Sequence, residues 1–216
     1  MMGSTHAQSA TTAWAGATMA SPLVGVHPHW TAVTFGTLAC AGAGLLPDSD
    51  HLGATIAHSF GPVSEYATRI IHRVSGGHRQ ATHSLLFAGL CYAATWGMVR
   101  AAGSWAAMPI LFILFTFGLR AMRLVPGLTY GVAAVATLAA YFLLDGQYAW
   151  IPAAVVIGVL THLAGDCLTH EGCPVLWPWE GNVRLPLISR TGNKVEMRLF
   201  GPAFALGTLA IYIFVR

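Results

Sequence analysis

The 216-residue chain is 55% hydrophobic and only 9% charged, with a formal net charge of +3. Soluble domains carry about 25% charged residues, so this composition cannot cover a water-facing surface and excludes an ordinary soluble globule. The small, dispersed positive charge excludes a basic nucleic-acid face, and the length suits one membrane-embedded domain over residues 1–216.

A membrane span needs about 20 largely apolar residues. In chain order, residues 8–26 are weakly apolar and rich in Ala, Ser and Thr, while 30–46 are clearly apolar. Further apolar runs cover 84–102, 105–122, 127–144, 149–168 and 200–215. The N-terminus lacks the basic stretch of a signal peptide, which makes 8–26 a retained first helix. The expectation is an all-α, polytopic transmembrane bundle of about seven helices. Two longer polar connections interrupt it, 47–83 and 169–199, and Pro, Gly and Asn in the second argue against a continuous helix. Trp177 and Trp179 suit the headgroup level.

Counting crossings places the ends near residues 47, 84, 122, 127, 168 and 200 on one side. Arg69, Arg73, Arg79, Arg120, Arg123, Arg184, Arg190, Lys194 and Arg198 fall on that side, against Arg100 and Arg216 on the other. Positive charge is retained in the cytoplasm, so this side is expected to be cytoplasmic.

Four groups of ligand-type residues lie at helix ends on the same side. They are "THAQ" with His6, "LLPDSDH" with Asp48, Asp50 and His51, "GHRQATHS" with His78, Arg79, Thr82 and His83, and "THLAGDCLTH" with His162, Asp166 and His170. His162 and Asp166 are four apart and share a helical face. Pro47 breaks its helix and can turn Asp48 and Asp50 back toward the bundle. Mixed His/Asp sets suit Zn2+, Mn2+ or Fe2+. About eight candidate ligands (His6, Asp48, Asp50, His51, His78, His83, His162 and Asp166) exceed what one catalytic zinc uses, so a site with more than one divalent metal is expected. A metal lowers the pKa of its water to near 7 and supplies a nucleophile. Arg79 can hold developing negative charge, and a carboxylate left off the metal, Asp50 among them, can act as general base.

The simpler readings are distinct. A His near a membrane helix end is commonly interfacial, and His27, His29, His58 and His72 take that reading. Asp145 reads as a solvated cap. Cys40 and Cys91 lie in apolar runs and read as free thiols. Cys167 and Cys173 lie near the candidate site, with a spacing that fits no familiar thiolate metal site. His162 and Asp166 are harder to dismiss, because an Asp within a span costs about 2.5–3.5 kcal/mol on insertion scales and is functional by default.

The order "LLPDSDH", "GHRQATHS", "GVLTHLAGDCLTHEGCPVLWPW", then "VRLPL" and "GNKVEMRLF", resembles the bacterial inner-membrane metal-dependent hydrolase family. Some of its members are described as LexA-regulated or LexA-binding, and no residue of this chain argues for that link. The resemblance runs from His6 to about Phe200. It implies an inner-membrane helical bundle, a metal centre and hydrolysis, with the pattern falling on His6, Asp48, Asp50, His51, His78, Arg79, His83, His162 and Asp166. A more distant similarity to zinc-dependent phospholipase C and P1-type nucleases implies a phosphoester. Gln80 stands where the family has Gly, and His170 where it has Pro. The resulting expectation is hydrolysis of an ester or phosphoester, lipid-linked because the site lies near the interface. Partners are then the bilayer and a small ester or lipid, with no nucleic acid. The rival readings are an ion transporter with intramembrane His and Asp, and a non-catalytic protein whose metal staples loops in closed coordination.

Overall fold

A computed structural model describes residues 2–187 and 196–214. Among these, eight α-helices are present: α1 Gly3–Ala20, α2 Trp30–Ala43, α3 Pro62–Ser75, α4 Leu85–Ala102, α5 Ser104–Met122, α6 Thr129–Leu144, α7 Ile151–Cys167 and α8 Gly201–Phe214. The expected all-helical bundle is observed, with α3 as an addition. Three segments are long and apolar enough to cross a membrane, Trp30–Asp50, Leu85–Ala102 and Ser104–Met122, and three shorter apolar helices accompany them.

The weakly apolar first segment is the central one. Helix α1 packs against α2, α5, α7 and α8, and buries Thr5, His6, Ala7, Ser9, Ala10, Thr11, Trp14 and Ala15. Its small residues let neighbouring backbones approach, and its hydroxyls bond across the seam, as in membrane bundles generally. Thr12 Oγ1 donates to Phe204 O of α8 at 2.8 Å and lies 2.9 Å from Thr208 Oγ1. Low hydropathy therefore reflects burial against protein rather than exposure to water.

Glycines set the spacing of the inner helices. A Cβ on Gly42 of α2 would lie 1.9 Å from Leu114 O of α5, and one on Gly158 of α7 would lie 2.7 Å from Cys40 O and 2.8 Å from Gly44 N. The apolar core forms around these seams, from Trp14, Cys40, Ala43, Leu111, Phe115, Ile151 and Val155. The outer helices present Leu86, Leu90 and Trp96 of α4, Val135 and Phe142 of α6, and Leu206 and Ile213 of α8 outward. So large an apolar exterior fits lipid rather than water.

Helix α3 lies within what the sequence presents as a polar connection. Hydropathy averaged over a span misses it, because its single apolar face is balanced by Glu65, Arg69, His72 and Arg73 on the other side of the helix. Val63, Tyr66, Ile70 and Val74 face outward, while Thr68 and Ser75 are buried. Gly76, at φ 87°, ends the helix in a left-handed turn, a conformation glycine adopts freely. The second connection behaves as expected over its described part. Residues 183–187 run extended across the end of α7, with Leu185 N donating to Cys167 O at 2.6 Å and Leu187 N to Leu168 O at 3.1 Å. Arg190, Lys194 and Arg216 of the charge count lie outside the described residues.

Candidate metal centre

Each polar group reaches the centre by a local device. His6 projects from the first turns of α1. Asp48 and Asp50 lie on a 3₁₀ turn, Leu46–Asp50, that Pro47 initiates as α2 ends. His83 closes another 3₁₀ turn, Ala81–His83, directly before α4, and Ser84 Oγ caps that helix by accepting from Phe87 N at 3.2 Å. His162 and Asp166 share the inner face of α7 and are both buried. The ends that the crossing count assigns to one side are thus the ends that meet.

At the centre, His83 Nε2 and His162 Nε2 are 3.3 Å apart. Asp166 Oδ2 lies 3.5 Å from each of them. Four ligands held tetrahedrally at about 2.0–2.1 Å from a zinc would be about 3.3–3.4 Å from one another, so this triple has the spacing of ligands around one ion. Asp48 Oδ1 lies 3.7 Å from His83 Nε2 and 3.8 Å from His162 Nε2. Among the described residues, three overlapping triads have their donor atoms within 4.8 Å of one another: His6–Asp48–His162, Asp48–His78–His83 and His83–His162–Asp166. These groups, buried except for the half-buried Asp48 and His78, could hold a metal ion. His6 Nδ1 is buried with no hydrogen-bond partner among the described residues, a costly state for a polar atom that a ligand would relieve.

The surrounding bonds fix which ring nitrogens face inward. His162 Nδ1 is 2.6 Å from Gly44 O. A carbonyl only accepts, so Nδ1 carries the proton and Nε2 presents its lone pair to the centre. His78 Nδ1 is 2.9 Å from Asp50 Oδ1, which leaves its Nε2 available in the same way. His83 Nδ1 faces Thr82 Oγ1 at 3.1 Å, and that hydroxyl donates to Asp50 Oδ2 at 2.5 Å. Asp50 also accepts from Arg79 N at 3.2 Å, so it orients two imidazoles from behind, the arrangement common behind metal-ligating histidines. Burial pulls the His83 imidazole down, but Asp166 and Asp50 outweigh it and hold the metal-free ring up at about 9.

The remaining candidates sit around this core. Arg79, at φ 59°, places Nη2 3.2 Å from Asp166 Oδ1. Its Nη1 donates to Thr169 Oγ1 and Gly172 O, both at 3.2 Å, and lies 3.1 Å from Glu171 Oε2. His6 Nε2 is 3.3 Å from the same Asp166 Oδ1, and its ring stacks on His162 at 3.6 Å between centroids. His51 is exposed, 4.5 Å from His78 between ring centroids. His170 is also exposed. His72, read from sequence as an interfacial residue, instead anchors α3 to the site loop through Nδ1, 2.8 Å from Asp50 O. Sequence reasoning also missed Gly44 and Gly158, whose parts are played by backbone and by the lack of a side chain. A helical offset of four from Gly158 to His162 was the available signal.

A groove of about 850 Å³ runs beside the centre, lined among others by Leu46, Ser49, Phe60, Thr68, Phe87 and Phe117. Ser49 stands between Asp48 and Asp50, and Phe87 lies one turn beyond His83. The inner face of α3 closes the groove. A cavity of about 610 Å³, lined by Trp14, His29 and Trp150 among others, lies at the opposite helix ends and shares no residue with the cluster.

The fold and site define an all-helical membrane protein with a buried His/Asp centre able to hold metal. A profile of the YdjM inner membrane protein family matches residues 1–216, and the chain belongs to that family. Inner membrane protein YdjM of Escherichia coli K12 and that of Shigella flexneri are each 41% identical to it over 76 residues. The match covers 32% of this chain and 39% of each relative, well under half of the relatives' length. No solved structure matches.

Proposed function

We propose that the protein is a multi-pass inner-membrane hydrolase that cleaves a lipid-linked ester or phosphoester with a metal-activated water, its site facing the cytoplasm. The observation that carries this reading is the meeting of ligand atoms from α2's end, the start of α4 and the end of α7 at the spacing of a metal's ligands. His83, His162 and Asp166 would hold the metal with Asp48, and His6 and His78 extend the set toward a second ion. Zn2+ suits these donors, as do Mn2+ and Fe2+. Bound there, the metal would supply a nucleophilic water at neutral pH.

The chain's own residues divide the other tasks. Asp50 orients His78 and His83. Arg79 fixes Asp166 and puts positive charge beside the centre, where an anionic substrate would be drawn. The groove under α3 suits an acyl chain whose ester lies at the level of Asp48, and the outward stripe of α3 suits a helix lying in the membrane interface. The side rich in Arg supports a cytoplasmic orientation. A transporter reading has less support, because the ligand set is concentrated at one end of the bundle.

Turnover assays on metal-replete protein test the proposal, using phospholipids and water-soluble phosphoesters. Wild type is expected to release product and Asp166→Ala to lose that activity, while Thr68→Phe raises KM for long-chain lipids only. Equal behaviour of wild type and Asp166→Ala on every substrate would sink the hydrolase reading. A cysteine replacing Arg184 should label from the cytoplasm, and labelling only from the periplasm would reverse the orientation.

A further inference from the structure

Cys167 and Cys173 take no part in the ligand cluster, yet they form a cluster of their own. Cys167 is the last residue of α7 and half-buried, whereas Cys173 is fully buried. Their Sγ atoms are 3.1 Å apart. The backbone holds them in that register through one extended segment. Val183 pairs with Cys173 in both directions, at 3.2 and 3.0 Å, and Leu185 N donates to Cys167 O at 2.6 Å. A disulfide requires the sulfurs at about 2.05 Å, so bonding asks for a closure of only about 1 Å.

We propose that Cys167 and Cys173 are a modification site, closing reversibly to a disulfide by exchange with a small disulfide of the glutathione class. The thiolate of Cys167, the more accessible of the two, attacks one sulfur of the oxidant. The oxidant's S–S bond breaks, and one small thiol leaves. The Cys173 thiolate then attacks Cys167 Sγ in the mixed disulfide and releases the second small thiol. Two electrons pass from the cysteines to the oxidant, and the two protons they give up end on the released thiols.

The bond has a structural consequence. The loop between the cysteines carries Thr169, Glu171 and Gly172, the three residues on which Arg79 rests, and Arg79 in turn contacts Asp166. Oxidation pins that loop. In a reducing compartment a bond of this kind is transient and redox-sensing.

The test uses the full chain in detergent, equilibrated with buffers of rising glutathione-disulfide to glutathione ratio, acid-quenched, unfolded, alkylated and analysed by mass spectrometry. The proposal expects the segment containing both cysteines to lose two hydrogens and both alkylation sites as the ratio rises, while Cys40 and Cys91 remain alkylatable. It also expects the change to reverse on reduction. In Cys173→Ser, Cys167 should stop at the glutathione adduct. Two free thiols in the most oxidising buffer, or a persistent Cys167 adduct in the wild type, would overturn it and leave the pair as packing thiols. The readout needs neither bound metal nor turnover, so it stands or falls apart from the hydrolase reading.

Discussion

Within "LLPDSDH" the three polar side chains do different work, and the difference is one of geometry. Asp48 sends an oxygen toward both central imidazoles. Asp50, wholly buried, spends its oxygens on His78, Thr82 and the Arg79 amide. His51 remains at the surface. Residue type and spacing name all three as candidates and cannot separate them, because the separation depends on the turn that Pro47 begins. Asp50→Asn keeps the shape but removes the charge that fixes the two rings. A supporting change of this kind costs about 10–100-fold in metal affinity, so the variant should bind Zn2+ that much more weakly by competition with a chromophoric chelator. Unchanged affinity would remove Asp50 from the site.

At the scale of elements, the site depends on how closely α2 and α7 approach. Gly158 lies against Cys40 O and Gly44 N, and one turn later His162 bonds Gly44 O. A methyl group at 158 must push the helices apart, and overpacking of this kind costs about 1–3 kcal/mol. Gly158→Ala should therefore lower the thermal midpoint in detergent and weaken metal binding together. Gly42→Ala, at the α2–α5 seam, should cost stability through its clash with Leu114 O and leave the ligands less disturbed. Equal effects of the two on metal affinity would contradict this assignment. The apolar helices were legible in the sequence because a span needs a long uninterrupted run. Helix α3 was not, since its one apolar face and its charged face average to a polar segment. Helix α1 was faint because its partner is protein, so Ala, Ser and Thr suffice where lipid would demand Leu. Both His162 and Asp166 were legible because ionisable residues inside an apolar run are rare, whereas Arg79's grip on Asp166 depends on a loop whose path the sequence does not reveal.

For the whole molecule, the bundle brings together residues as distant in sequence as His6 and Asp166, at the end where the chain repeatedly turns. Burying several carboxylates and imidazoles together is costly unless their charges are matched, and a divalent cation matches them. Membership of an inner-membrane family and the apolar exterior give the setting, and a groove runs beside Ser49. The proposed chemistry rests on the cluster being a metal centre. Elemental analysis of the protein, purified without chelator and without a polyhistidine tag, tests that most directly. The wild type should carry at least one equivalent of a divalent transition metal per chain, and a folded Asp166→Ala or His162→Ala variant should lose it. A folded wild type that carries no such metal, and takes none up from Zn2+, Mn2+ or Fe2+ solutions, would contradict it.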